Sequence, residues 1–396
     1  MLATLEQLPV DPLTTQPLMP CMCGSTDFEP EPDIMDTWAT SSCTPLILGH
    51  WLDDPAWFAQ HFPVSLHPQA HDIIRSWAFY TIVKALYHTN DIPWREIMIS
   101  GHGLSTNRRK ISKSQEHSEV GPMEVIARES ADALRYWATT GRTGADSPLS
   151  LETIATGRRL VTKLWHASRF AESRLEDFTS EAGELLPTDR WLLSRLARTI
   201  ALATAELDNY EYAASRTEVE RFFWSDLCDN YLELAKSRLY GQAGPERRAA
   251  QWTLYQALLS VLKLLAPHLP YITEEIYQGL FRKWDGAISI HLSSWPEEHP
   301  EWIDAGAEAI GRNLLEVLRQ VRRHKAERGL SVGAELEALH VSLQAMHRGQ
   351  RVALEMALTD LKSATRAKMI TLEEMAPGSS RQISGEKELL VEVKCR

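Results

Sequence analysis

Cysteine is scarce in this chain. Its five copies, Cys21, Cys23, Cys43, Cys228 and Cys395, are odd in number and unevenly spaced. They form no disulfide framework, which fits a reducing compartment. Apolar runs are short, and none reaches the roughly 18 residues a membrane span needs. The opening MLATLEQLPVDPLTTQPLMP has acids and prolines where a secretory leader has a basic and then an apolar run, so the expected location is cytoplasmic. Positive charge is in deficit. A net charge of −11 repels polyanions, so any hold on nucleic acid has to come from local patches. Internal repeats and low-complexity tracts are missing too, which excludes solenoids and disordered arrays.

What is present is a soluble, globular composition, 44% hydrophobic and 24% charged over 396 residues. That length suits two or three domains rather than one core. Three cationic patches interrupt the acidic background. RRKISKSQ, Arg108 to Gln115, packs four cations and two hydroxyls into eight residues. Arg158, Arg159, Lys163, Arg169 and Arg174 make a second patch. In the third, Arg312, Arg319, Arg322, Arg323, Lys325 and Arg328 face only Glu316 and Glu327. Each alone reads equally well as a solvated helix face.

DIIRSWAFYTIVKAL, Asp72 to Leu86, has a wide apolar stripe and reads as a mostly buried helix between two short strands, PVSLH and EIMISG. Strand, helix, strand in that order is by default a right-handed parallel crossover. The basic stretch follows the second strand, and ligands of open α/β sheets sit at that carboxyl edge. Further on, Leu192, Leu196, Ile200, Ala203 and Leu207 recur at helical spacing, as do Phe223, Leu227, Tyr231 and Leu234. A third helix spans Arg247 to Ala266 before Pro267 and Pro270 interrupt it. Four or more such helices in about 100 residues make a bundle. A basic helix around Asn313 to Arg328, a helix near Val352 to Leu361 and three strands complete a small α+β module. The expected fold is thus α/β plus all-α: a partial Rossmann-type parallel sheet, a helical bundle and the terminal module.

DIMDTWATSS, HPQAHDIIRSWAFYTIVKALYHTNDIPWREIMISGHGL and KISKS together resemble a class I aminoacyl-tRNA synthetase, most closely a valyl-tRNA synthetase of the archaeal type. TDRWLLSRL, FFWSDLCDNYLELAKSRLYG, LLAPHLPYITEEIY and SIHLSSWP resemble that family's anticodon-binding helical domain in the same order. The resemblance implies a tail over 1–20, the second half of the catalytic domain over 21–150, a helical connector over 151–185, the anticodon-binding bundle over 186–300 and the terminal module over 301–396. It implies ATP with Mg2+, valine and tRNA(Val) as ligands. Lys113 and then Lys110 would neutralise charge on the phosphoryl oxygens and departing pyrophosphate. Ser112 and Ile111, the latter in place of the family's methionine, would lie at the nucleotide with Asp72 and His102. Trp38 and Ile73 would wall the valine pocket, although large apolar residues are more often plain core. Arg312, Arg319, Arg322, Arg323 and Lys325 are candidates to hold tRNA. Phe222, Phe223, Trp224 and Arg221 could stack or pair with anticodon bases, but core packing is the favoured reading for that apolar helix.

The sequence also departs from the family. No His-x-Gly-His signature occurs, nor does the editing insertion before DTWATSS. Ala70 replaces a glycine, and Gln115, Glu116 and His117 replace Lys-Gly-Asn, so a carboxylate stands beside the phosphate loop. Cys21 and Cys23 are one pair at the wrong spacing, so zinc is not expected. Two expectations compete. Either the chain works as a valine–tRNA ligase with a separately encoded N-terminal half, or it is an inactive paralogue that binds tRNA. A parallel sheet without its partner strands leaves an open edge and face, so a partner, a homodimer or partial melting is expected there.

Overall fold

A computed structural model describes residues 3–105, 121–343, 348–374 and 389–394. The chain divides into two compact units, Met1–Gly101 and His102–Arg396. No helix among the described residues is long and apolar enough to cross a membrane.

In the first unit, α1 (Thr37–Ser41), α2 (Thr44–Leu48) and α3 (Pro55–His61) precede β1 (Val64–Ala70). Asp36 and Asp54 cap α1 and α3 by accepting backbone N–H groups, the usual role of aspartate at that position. A single 3-10 turn, His71–Ile73, and a wide π turn, Ile74–Ala78, lead into α4 (Phe79–Thr89), which ends at Asn90 in the left-handed conformation. β2 (Trp94–Ser100) runs parallel to β1, with Val64 opposite Trp94 and Ala70 opposite Ser100. The parallel crossover expected from the sequence is therefore present, with β1 reaching through Ala70.

The second unit opens with β3 (Gly103–Leu104), α5 (Pro122–Glu129), α6 (Ala131–Ala138) and β4 (Ser147–Pro148), which pairs in parallel with β3. The bundle follows: α7 (Leu151–Arg174), α8 (Pro187–Asp208) and α9 (Tyr212–Arg221), the last continuing through a π-wound stretch, Phe222–Tyr231, into α10 (Leu232–Leu234). Then come α11 (Lys236–Tyr240), α12 (Pro245–Leu265), α13 (Pro270–Ile276) and α14 (Arg282–Asp285). The basic helix α15 (Ala305–Glu327) leads to β5 (Leu336–Leu343), α16 (Arg348–Met356), α17 (Leu358–Thr365), β6 (Ala367–Glu374) and β7 (Leu389–Lys394). β5 lies in the middle of this sheet, parallel to β6 and antiparallel to β7.

One apolar core joins the bundle to the terminal module, running from Tyr136 through Leu192, Phe222 and Leu258 to Leu336, Leu361 and Ala367. Phe222 and Phe223 are fully buried in it. Gly311 lets α15 close on α8: a Cβ there would stand 2.1 Å from the Trp191 indole, far inside van der Waals contact.

The core also tolerates a buried histidine. His268, in the turn after α12, is almost fully buried. Its pKa is pushed down to about 4, by burial first and then by the Arg216 and Arg135 guanidinium groups. The unfolded chain takes up that proton near pH 6.5 and the folded chain only near 4, so stability present above pH 6.5 is lost as the pH falls toward 4. The gap corresponds to about 3 kcal/mol. Denaturant titrations across this range should show the wild-type loss, and His268→Gln should lack that share of the slope.

A candidate nucleotide edge and a candidate RNA surface

The first unit gathers three of the residues singled out in sequence. Asp72 and Ile73 follow directly on the carboxyl end of β1, in the irregular turns that open the crossover helix. Such π-wound openings are common at functional positions. Asp72 is exposed and Ile73 half-buried. α1, which carries half-buried Trp38, packs against the Ile74–Ala78 turn and α4. Trp77 donates its indole N–H to Ser41 O at 2.8 Å, and the Lys84 ammonium donates to Ala39 O. α1 and the His71–Ile73 turn thus both pack against the Ile74–Ala78 turn, just beyond the carboxyl end of β1. His102 lies in the second unit, where its N–H donates to Asp146 Oδ1 at 2.7 Å and its carbonyl accepts from Ser147 N at 2.8 Å. Lys110, Ile111, Ser112 and Lys113 lie outside the described residues.

Two polar side chains of β1 were not legible in advance. His67 is buried with its ring stacked on Trp94 at 4.3 Å and edge-on to Trp77 at 4.4 Å. Burial lowers its pKa, and Gln69 lies close enough to oppose that shift. Among the described residues, neither His67 Nε2 nor either polar atom of the buried Gln69 carboxamide has a hydrogen-bond partner. Unsatisfied buried amides are costly and uncommon. Meanwhile α4 exposes Phe79, Tyr80, Ile82, Leu86 and Tyr87. Among the described residues β1 pairs only with β2, and parallel strands are ordinarily covered on both faces.

Near Cys21, the chain turns tightly through Gly24 at φ 86°. No group of three or more His, Cys, Asp or Glu that could hold a metal occurs among the described residues.

The second unit carries cations on three elements. On α15, Arg312, Arg319 and Arg323 face solvent, with Arg319 paired to Glu316 and Arg323 to Glu327. Arg322 instead bonds Asn230 Oδ1 and Asp229 O, tying α15 to the π-wound stretch. Lys325 is turned inward: its ammonium is buried and donates to Val332 O at 2.8 Å and Thr365 O at 3.0 Å. It stands on the apolar stripe of Leu314, Leu318 and Val321, and that spacing was the available signal. Charge alone placed it among the RNA candidates.

On α7, Lys163 lies over the Trp224 ring at 5.3 Å and Arg174 over Tyr240 at 4.1 Å. Lys163, His166, Phe170, Glu233, Lys236 and Tyr240 line a groove of about 260 Å³ between α7, α10 and α11, with Lys236 paired to Glu233 at 3.3 Å. Phe170 and Tyr240 sit 6.1 Å apart. Aromatic faces beside cations suit stacking of unpaired bases. The earlier aromatic candidates, Phe222 and Phe223, are core.

Residues 10–150 match the family described as tRNA synthetases class I (I, L, M and V), and residues 189–340 match the anticodon-binding domain of tRNA ligase. The valine–tRNA ligase of Methanopyrus kandleri is 41% identical over 391 residues, covering 96% of this chain and 41% of that protein. The valine–tRNA ligase of Rickettsia felis is 38% identical, covering 94% and 44%. The chain thus spans less than half the length of these relatives. Among solved structures, the ternary complex of Agrobacterium radiobacter K84 LeuRS with tRNA and LeuAMS has a TM-score of 0.57 at 17% identity, over 90% of this chain and 44% of that one. Methionyl-tRNA synthetase of Mycobacterium tuberculosis gives 0.52 at 17% identity, over 67% and 55%. These two share the fold. The chain belongs to the class I aminoacyl-tRNA synthetases, as a C-terminal portion within the valine–tRNA ligase family.

Proposed function

We propose that this chain forms part of a cytoplasmic valine–tRNA ligase, supplying one wall of the activation site and the surface that holds tRNA(Val). The valine carboxylate attacks the α-phosphorus of ATP, held with Mg2+, and pyrophosphate leaves; the acyl group then passes to the terminal ribose of the tRNA and AMP leaves. Trp38 and Ile73 wall the valine side chain and Asp72 faces the nucleotide. His102, Ser112 and Ile111 approach the nucleotide as well, and Lys113 and Lys110 neutralise the phosphates. The observation that carries this reading is the roughly 40% identity to valine–tRNA ligases along nearly the whole chain.

The exposed stripe of α4 and the orphaned Gln69 carboxamide support a partner for the first unit: the complementary part of the catalytic sheet, on whichever polypeptide carries it. In this reading the exposed Arg312, Arg319 and Arg323 of α15 meet the phosphate backbone, together with Lys163 and Lys236 in the α7 groove. Arg322 and Lys325 contribute by fixing α15. Combining this chain with the complementary part and measuring valine-dependent ATP–pyrophosphate exchange tests the reading. Exchange that needs both parts is expected. Its absence from the mixture would overturn the assignment.

A further inference from the structure

Between α11 and α17 lies a shallow, open groove of about 620 Å³, lined by Ser237, Glu335, Thr359, Lys362, Ser363, Arg366 and Lys368. Its α17 and β6 residues lie beyond residue 340, where neither family match reaches. We propose that this groove binds the ribose-phosphate backbone of RNA, continuing the α7 groove across α11 onto the terminal module. The inference rests on the tRNA-binding reading and extends it to a second contact surface.

The charge balance favours an anion. Glu335 and Glu337 are both within reach of Lys368, at 3.9 and 2.9 Å, so those acids are already engaged. The side chains of Lys362 and Arg366 are exposed and make no ion pair or hydrogen bond among the described residues. Three hydroxyls stand beside them. Cations with serine and threonine hydroxyls are the groups that meet phosphates and ribose. The openness of the groove points away from a small metabolite, because sites for such ligands enclose most of the ligand surface. A polymer lying along the groove needs no enclosure.

Arg366 supplies an independent observation. It closes α17 in the left-handed conformation, at φ 59°, where glycine or asparagine is the usual occupant. A long cationic side chain is held there against its backbone preference. Its carbonyl accepts from Leu336 N at 3.0 Å, so the strained residue is fixed at the groove edge, and strain retained in this way clusters at functional positions.

The two walls are also rigidly joined. Arg238 on α11 donates to Asp360 on α17 at 3.0 and 2.9 Å, inside the core directly beneath the groove walls. Ser237, next to Arg238, lines this groove, and its neighbour Lys236 on the same short helix lines the α7 groove. A strand leaving the Phe170 and Tyr240 rings therefore needs to cross only α11 to reach Lys362 and Arg366.

The test is fluorescence anisotropy of a tRNA(Val) transcript titrated with the full chain from 50 to 200 mM salt. Lys362→Ala, Arg366→Gly and their double variant are compared with Lys163→Ala. Arg366→Gly removes the cation and relieves the backbone, so its thermal stability should be unchanged or raised, and weaker binding cannot then be ascribed to misfolding. The double variant should bind about tenfold or more weakly at 150 mM, and its log K against log salt slope should flatten by about 1.5. If the wild-type chain and Lys163→Ala behave as the tRNA reading requires while the double variant keeps wild-type affinity and slope, the groove proposal alone falls. If the wild-type chain binds no tRNA even at 50 mM, the tRNA reading falls and this inference with it.

Discussion

Arg238→Met is expected to lower the stability of the second unit by about 3–5 kcal/mol. The Arg238 guanidinium grips Asp189 through two bonds of 2.9 Å and Asp360 through bonds of 3.0 and 2.9 Å, and it reaches Thr188 at 3.1 Å. All three charged side chains are buried. Asp189 also accepts from the Tyr231 hydroxyl at 2.7 Å and from Leu186 N at 2.9 Å, while Thr188 donates to Asp360 at 2.6 Å. Burial raises the Asp360 pKa, and the guanidinium opposes that shift. Methionine fills much the same volume but leaves two carboxylates without a counter-charge. The cost is the desolvation of those acids, which exceeds any single lost hydrogen bond. Chemical denaturation of wild type, Arg238→Met and Arg238→Met with Asp360→Asn measures it. The double variant should recover part of the loss. A loss under about 1 kcal/mol in the single variant would contradict the network.

Lys113→Ala is expected to cut pyrophosphate exchange by about 10²–10³-fold in the assembled enzyme. Negative charge on the transferred phosphoryl group and on pyrophosphate grows as the α-phosphorus bond breaks. A fixed ammonium therefore gains more in the transition state than in the bound ground state, and the loss should fall on kcat rather than KM for ATP. Lys110→Ala should cost less if, as the resemblance implies, Lys113 matches the second lysine of the family's KMSKS loop and is the principal cation. Arginine at 113 should restore little, because a planar fork cannot take the place of a compact ammonium. Binding of tRNA should stay at the wild-type level in all three variants. Exchange within about threefold of wild type for Lys113→Ala would remove the lysine from the chemistry.

Periodicity made much of the architecture legible. The parallel crossover, the bundle and the three-strand module all appear where alternation or helical spacing placed them. The favoured core assignment of Phe222 and Phe223 is what the structure shows, because an apolar stripe at helical spacing reports the buried face directly. Lys325 carries a charge that speaks for solvent and a position on the α15 stripe that speaks for burial, and it is buried. The α7 groove was missed because its members come from separate helices: Lys163 and Phe170 meet Lys236 and Tyr240 only when α7 packs beside α11. Only the fold reveals that His67 and Gln69 are buried, with His67 Nε2 and the Gln69 carboxamide lacking a hydrogen-bond partner among the described residues.

The sequence by itself determined the kind of chain this is and the order of its elements, since helical spacing, strand alternation and family motifs are local properties carried by neighbouring residues. Tertiary packing alone decided which charges are working surface and which are mortar. Arg238 meets acids 49 and 122 residues away, and Lys325 meets a carbonyl 40 residues away. Burial of a charge depends on what closes over it, and that partner lies too far along the chain for any local pattern to announce.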